Sequence, residues 1–253
     1  MRTARETRTH RRGHDVAKSL RDFRYMTFDV VGTLIDFEGG IKECLAGIGA
    51  ESGVAVDGEA ALTLYRNARY TPQALRFPDD LLRVYLAIAP ELGLPAEQRL
   101  GERLRDSAAA WKGFPDSRDA LARLARRYRL IAMTNARRWA YDHFADALGR
   151  PFHAAFTTDD TGTEKPDPAF FEQVFSFVAS EGASKDDILH VAQSQYHDIG
   201  VSRRLGMRNC WIQRRHAQPG YGGTIEPERF TEPDYHFTSM AELADAVEQE
   251  QRA

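Results

Sequence analysis

Residues 24–36 read Arg-Tyr-Met-Thr-Phe-Asp-Val-Val-Gly-Thr-Leu-Ile-Asp, an apolar run that ends in an acid and is followed by a Gly-Thr turn. Such a run of apolar, β-branched and aromatic residues is typical of a strand in a parallel sheet. Sheets of this kind bind their ligands at the carboxyl ends of the strands. The carboxylate of Asp29 is therefore predicted to lie at the ligand-binding edge of an α/β sheet.

Alternating strand and helix patterns continue after residue 113. Further strands are predicted at residues 130–133, 155–158, 188–191, 209–212 and 235–237, in addition to residues 25–30. Helices are predicted between and after them, at residues 117–127, 136–148, 168–180, 199–205 and 239–250. This alternation predicts a parallel sheet with helices on both faces.

Residues 38–113 interrupt the alternation with helical patterns alone. Four helices are predicted there, at residues 41–51, 59–70, 81–92 and 98–110, with breaks at Gly53, Pro72, Pro78 and Pro95. The predicted fold class is α/β: a Rossmann-like core, residues 23–37 and 114–253, with an inserted all-helical domain, residues 38–113.

The first 22 residues are predicted to form a basic, disordered extension. Residues 1–24 contain eight Lys or Arg residues against three acids and show almost no apolar pattern. No apolar segment follows the positive charges, so a secretory signal is not expected. An organelle-targeting or polyanion-binding tail is the alternative.

Composition excludes several classes of partner. The net charge is -3, which offers no global attraction to nucleic acid, and no apolar run approaches the roughly 20 residues of a membrane helix. Cys44 and Cys210 are too few for a disulfide framework, so a reducing cytoplasm is expected. A homodimer is expected only because dimers are the commonest assembly.

Four motifs in order resemble those of the haloacid dehalogenase superfamily. Asp29-x-x-Gly-Thr33-Leu resembles the first, Thr134-Asn135 the second, Lys165-Pro the third, and residues 190–198, ending in Asp198, the fourth. The resemblance covers roughly residues 20–245. It implies that Asp29 is a covalent nucleophile and that the helical insertion is a cap over it.

Two departures distinguish this chain from the phosphatases of that superfamily. Those enzymes carry a second Asp where Val31 stands, to protonate the leaving alcohol, and an acid that helps hold Mg²⁺ where Gln193 stands. A leaving group that needs no proton fits the change at Val31, and a reaction without Mg²⁺ fits the change at Gln193. The resemblance is therefore closest to the L-2-haloacid dehalogenase branch, which implies no metal and no other cofactor.

In that branch a cap arginine receives the leaving halide. The pair Tyr65-Arg66 resembles the aromatic-Arg pair of the family, so Arg66 is the first candidate; Arg69 and Arg76 are the alternatives. The resemblance also assigns Lys165 to charge balance near the nucleophile and Asp198 to activation of the hydrolytic water.

The remaining predicted site residues bind substrate. Thr33, Thr134, Asn135 and the backbone near Val31 are expected to hold the substrate carboxylate. Gln195 stands where the branch carries the Asn of a Ser-x-Asn motif, so it is also assigned to substrate binding. The family tyrosine after the third-motif lysine is replaced by Phe171, and His197 is expected to be structural.

The resulting hypothesis is a metal-independent hydrolase for a small halogenated carboxylate. It converts short 2-haloalkanoic acids into 2-hydroxy acids through an aspartyl ester. One alternative is a Mg²⁺-dependent phosphatase or phosphonate hydrolase with altered acid chemistry. A second alternative is a non-catalytic binding protein on the same fold.

Overall fold

A six-stranded, fully parallel sheet forms the core of the computed structural model, which describes residues 18–252. Its strand order is β3-β2-β1-β4-β5-β6. The strands are β1 (Tyr25–Asp29), β2 (Arg129–Met133), β3 (Ala154–Phe156), β4 (Ile188–Ala192), β5 (Arg208–Ile212) and β6 (Tyr235–Phe237). The predicted α/β class with an inserted helical cap is confirmed.

The first strand lies in the middle of the sheet. All five of its residues are buried, and Met26 pairs with Leu130 of β2 on one side and Leu189 of β4 on the other. Successive side chains of a strand point to opposite faces. Tyr25 accordingly joins one apolar cluster, while Met26 joins the other. Asp29 ends this central strand, between the ends of β2 and β4.

Ten α-helices accompany the sheet in the described part of the chain. They are α1 (Phe37–Ser52), α2 (Gly58–Arg69), α3 (Leu81–Ile88), α4 (Gln98–Ser107), α5 (Ser117–Leu124), α6 (Arg138–Ala147), α7 (Thr158–Thr161), α8 (Pro168–Ser180), α9 (Gly200–Arg204) and α10 (Met240–Arg252). None of these helices is both long and apolar enough to cross a membrane.

Helices α1 to α4 form the cap and are inserted directly after β1. Asp36 begins α1 by accepting a hydrogen bond from the backbone N–H of Gly39, and Gly53 ends it with a left-handed φ of 71°. The cap packs on the core through Trp111. Its ring contacts Phe77, which precedes α3 of the cap, and Phe144, which lies on α6 of the core. An aromatic cluster therefore joins the two parts.

Two boundary predictions are corrected by the structure. Residues 18–22 were assigned to a disordered extension, but Ser19 caps a 3-10 helix, Leu20–Asp22, and Leu20 is buried. Burial of the apolar Leu20 side chain orders this segment, although the residues around it are polar. Residues 1–17 of that predicted extension lie outside the described residues. The strand predicted over 155–158 ends at Phe156, because Thr157 caps α7 instead.

Candidate active site

Asp29 is the central acid of the site. It is 6% exposed, and its two oxygens accept different hydrogen bonds: the Thr33 hydroxyl donates to Oδ2 at 2.6 Å, and the Lys165 ammonium donates to Oδ1 at 2.9 Å. Burial is the largest influence on the carboxyl and raises its pKa, although Lys165 opposes that shift. The arrangement holds a partly desolvated carboxylate in a fixed direction.

Lys165 joins Asp29 to a second carboxylate, that of Asp198. The Lys165 Nζ lies 2.6 Å from Asp198 Oδ1, and both side chains are about 1% exposed. Burial alone would lower the pKa of Lys165, but Asp198 and Asp29 outweigh it and raise that pKa. Burial would likewise raise the pKa of Asp198, but Lys165 and His190 lower it to about 2. The three groups form one buried cluster with a cation at its centre.

A cavity of about 610 Å³ opens beside this cluster, between the cap and the ends of the strands. Asp29, Lys165 and Asp198 lie at its polar side. Apolar and aromatic side chains also line the cavity, among them Val31, Phe37, Tyr65, Phe77 and Ile225. A volume of this size is typical of small-molecule sites. The cavity suits a ligand with one reactive polar end and an apolar remainder.

Asn135 and Thr134 follow β2, as predicted, but they act differently. Asn135 lines the cavity, and its amide both donates to the Lys165 carbonyl oxygen (2.8 Å) and accepts from the Lys165 backbone N–H (2.7 Å). It therefore fixes the segment that carries Lys165. Thr134 is fully buried and accepts from the Ala136 N–H. Thr134 is not one of the described residues that line the cavity, so its predicted contact with substrate is not supported.

Thr33 also serves the nucleophile rather than a ligand. Its hydroxyl donates to Asp29, and the same oxygen accepts from the backbone N–H of Gln193 at 2.9 Å. Thr33 is fully buried and lies outside the set of described residues that line the cavity. The predicted substrate contact is therefore replaced by a link between β1 and the segment after β4. Val31, by contrast, lines the cavity as predicted.

Arg66, the first candidate for receiving the halide, does not line the cavity. Its guanidinium donates to the Gly222 carbonyl oxygen at 2.9 Å, so it holds a loop instead of facing the cavity. Arg76 lies outside as well, 42% exposed and close to Asp159. Of the arginines in the described part of the chain, Arg69 alone lines the cavity. Arg69 lies one turn after Arg66 on α2, so the two side chains leave nearly the same face of the helix. The distance in sequence from Asp29 therefore could not decide which of them faces the cavity.

Gln195 does not line the cavity either, although substrate binding is predicted for it. Its side chain is 3% exposed, and its amide oxygen accepts from the backbone N–H of Thr231. Among the described residues, the cavity is lined at this point by Gln193, Ser194 and Tyr196 instead. Residues 195–199 form one π-helical turn, which directs Gln195 away from the cavity.

His197 lines the cavity, although the sequence favoured a structural role. Its Nδ1 lies 3.0 Å from the Ser194 hydroxyl, and the rings of Tyr70 and Tyr196 pack against it at 5.7 and 4.9 Å. Burial lowers the pKa of His197 to about 4, so the ring is neutral at pH 7. Its position next to Asp198 was the only sequence signal for this placement.

Carboxylates and amides that line the cavity, including those of Asp29, Asp198, Glu164 and Gln193, are the side-chain oxygen donors for a metal ion. Lys165 bridges Asp29 and Asp198, and the Gln193 amide donates to the hydroxyl of Thr224 at 2.8 Å. Within residues 18–252, no group of three His, Cys, Asp or Glu side chains is arranged to hold a metal ion. Mg²⁺ commonly combines one or two carboxylates with water and a substrate phosphate. Asp29 and Asp198 would supply the two carboxylates of such a site.

Solved structures with the same fold include both metal-bound and dehalogenase examples. The putative HAD-hydrolase YfnB from Bacillus subtilis, bound to magnesium, superposes with a TM-score of 0.71 at 20% identity, covering 89% of this chain and 98% of that one. The L-2-haloacid dehalogenase PA0810 gives a TM-score of 0.72 at 22% identity, covering 91% and 100%. The L-2-haloacid dehalogenase from Xanthobacter autotrophicus gives 0.67 at 20%, covering 89% and 98%.

These similarities show the fold, because the sequence identities are all low. No curated protein matches the sequence. The model of haloacid dehalogenase-like hydrolases matches residues 23–192, which is more than half of the 253 residues and includes Asp29 and Lys165. The chain therefore belongs to the haloacid dehalogenase-like hydrolase family.

Proposed function

We propose that this hydrolase removes halide from short 2-haloalkanoic acids without a metal ion, by way of an aspartyl ester. The observation that carries the proposal is the environment of Asp29. Its carboxylate is held by Thr33 and Lys165, while Val31 occupies the place of a proton donor in the wall of the cavity. A halide is a very weak base, so it can leave without a proton.

In the first step a carboxylate oxygen of Asp29 attacks the carbon that bears the halogen. The new C–O bond forms as the carbon–halogen bond breaks, and the halide departs with the bonding electrons. Arg69 is the cavity-lining cation available for that halide, and the apolar wall that includes Val31 and Phe37 desolvates the attacking oxygen. The product of this step is an ester between Asp29 and the substrate.

In the second step water attacks the carbonyl carbon of the ester. Asp198 lines the cavity next to Asp29, and its Oδ2 has no hydrogen-bond partner among the described residues, so it can accept a proton from that water. The ester C–O bond breaks, the 2-hydroxy acid leaves with a proton on its new hydroxyl, and Asp29 is regenerated. Overall, water replaces halide and one proton is released.

The decisive experiment measures halide release from chloroacetate and racemic 2-chloropropionate with EDTA present. We expect release by the wild type and loss of release in Asp29→Asn. Asp119→Asn is the matched control, because Asp119 is 80% exposed and lies on α5. Release by Asp29→Asn at the wild-type rate would contradict the mechanism.

The same assay distinguishes the alternatives. Activity on phosphate esters or phosphonates that vanishes with EDTA and returns with Mg²⁺ would favour the phosphatase hypothesis. The Asp29 and Asp198 carboxylates are the residues that such an ion would use. If neither chemistry is detected while halogenated carboxylates still bind, the chain would instead be a binding protein.

A further inference from the structure

The carboxylate of Asp198 is anchored from behind by a buried histidine of β4. The Nε2 atom of His190 lies 3.1 Å from Asp198 Oδ1, the same oxygen that accepts from Lys165. His190 and Asp198 are both fully buried. His190 does not belong to the described residues that line the cavity, so it touches the acid but not a ligand.

A hydroxyl on the neighbouring strand fixes the imidazole. Thr27 of β1 is directly opposite His190 in the sheet register, and its Oγ1 lies 2.8 Å from His190 Nδ1. Because an ionised Asp198 can only accept, Nε2 must carry a proton, and in the neutral ring Nδ1 then accepts from the Thr27 hydroxyl. The ring of Phe171 packs edge-on against the imidazole at 5.5 Å. Both the tautomer and the orientation of His190 are therefore set.

The two oxygens of Asp198 consequently differ. Oδ1 accepts from both Lys165 and His190, whereas Oδ2 is buried without a hydrogen-bond partner in the described part of the chain. A buried carboxylate oxygen without a donor is costly unless a ligand or water completes it. Oδ2 is therefore the oxygen of Asp198 that can still accept a hydrogen bond.

Lys165 and His190 differ in how they depend on Asp29. Lys165 is shared between Asp29 and Asp198, and Asp29 loses its negative charge when it becomes an ester. The hydrogen bond that His190 makes to Asp198 Oδ1 does not involve Asp29, so ester formation leaves it unchanged. His190 lies on a rigid central strand, so its hydrogen bond to Asp198 persists in both steps.

We propose that His190, fixed by Thr27, is a positioning residue that keeps Asp198 oriented for hydrolysis of the ester. The inference rests on the proposed function and assigns this pair to its second step. Water then adds to the Asp29 carbonyl carbon, its proton passes to Asp198 Oδ2, and the ester C–O bond breaks to free the hydroxy acid. His190 itself exchanges no proton.

The test separates the two steps in His190→Leu, which lacks the donor, and His190→Gln, whose amide N–H can still reach Asp198. Rapid-quench measurements give the first-turnover halide burst, and mass spectrometry detects the ester on Asp29. For His190→Leu we expect a first-turnover halide burst close to that of the wild type, because the first step is unaffected. The steady-state kcat should be lower by about 10- to 100-fold, with KM lowered in parallel, because hydrolysis of the ester is slow. The ester on Asp29 should therefore persist. His190→Gln should recover most of kcat.

Thr27 supplies a second pair in case His190→Leu does not fold. Thr27→Val removes the hydroxyl at constant shape and should also accumulate ester, whereas Thr27→Ser keeps the hydroxyl and should not. The role of His190 would be overturned if the burst and the steady-state rate fell together, or if the variants kept the wild-type kcat. Either result would leave the proposed function standing. Absence of any halide from the wild type would overturn the proposed function and this inference with it.

Discussion

The guanidinium of Arg69 lies 3.9 Å from the carboxylate of Glu164, and both side chains line the cavity beside Asp29. Burial is the main cause of the raised pKa of Glu164, and Arg69 opposes it. Arg69 also lies 3.6 Å from Asp80, so it is oriented by two acids without a close ion pair to Glu164. This leaves the cation able to attract an anion within the cavity.

Replacing Arg69 therefore tests the halide site. We expect Arg69→Gln to lower kcat/KM for halide release by about 100- to 1000-fold, since a developing anion loses its stabilising charge. Arg76→Gln is the matched control on the exposed surface and should stay near the wild-type rate. Equal losses in the two variants, measured by halide release, would remove Arg69 from the mechanism.

Lys165→Met should destabilise the protein strongly at neutral pH. It leaves Asp29 and Asp198 buried side by side without their cation, a change that costs about 3 to 5 kcal/mol of the free energy of unfolding. Urea unfolding at pH 7 measures this loss. Lys42→Met is the control, because Lys42 pairs with Glu59 at the surface and should cost less than about 1 kcal/mol.

The same variant should change how stability depends on pH. In the wild type the lowered pKa of Asp198, about 2, contributes stability that is present above its ordinary pKa of 3.8 and is lost as the pH falls toward 2. Without Lys165, burial dominates and raises the carboxyl pKa values, so the folded variant binds protons more readily than the unfolded chain. The difference in the free energy of unfolding between the wild type and Lys165→Met should therefore become smaller from pH 7 to pH 5. A difference that stays constant would contradict the assignment of Lys165 as the cation between the two buried acids.

His197 should reduce stability in acid. Its folded-state pKa of about 4 lies below the ordinary 6.5, so the unfolded chain binds more protons between these values. Stability should fall by about 2 kcal/mol as the pH is lowered through this range. His197→Gln should lose that part of the slope in urea titrations, whereas replacement of the exposed His143 by Gln should retain it.

Two glycines of α1 offer a test of the packing between the cap and the core. A Cβ on Gly40 would lie 2.3 Å from Trp111 Cδ1, so Gly40→Ala should cost about 1 to 3 kcal/mol. A Cβ on Gly47 would meet only the end of the Arg103 side chain at 3.2 Å. Gly47→Ala should therefore raise stability, by up to about 1 kcal/mol. Thermal unfolding that ranks the two variants in the opposite order would contradict this packing.

The strands and the cap could be predicted because their signals are local. Apolar, β-branched or aromatic residues dominate each strand. The positions of Asp29, Asn135, Lys165 and Asp198 follow from the rule that parallel strands share one ligand-binding edge. Strand bounds differ from the predicted ones by at most two residues. Local chemistry decides the largest difference, since Thr157 prefers to cap a helix.

The directions of individual side chains could not be predicted from the sequence. Arg66 and Arg69 are one helical turn apart, and only the packing of α2 decides which of them faces the cavity. Gln195 turns away because a π-helical turn follows Ser194, a feature without a sequence signature. The support of Asp198 by His190 depends on the register between β1 and β4, which links residues far apart in the chain.

The bridge made by Lys165 has a consequence for folding order. It joins residues 136 positions apart on one side and 33 on the other, so its contacts are non-local. Closing such long loops carries an entropic cost before any contact is gained. The reactive centre is thus complete only when distant segments of the chain have come together, and recovery of activity during refolding would report that event.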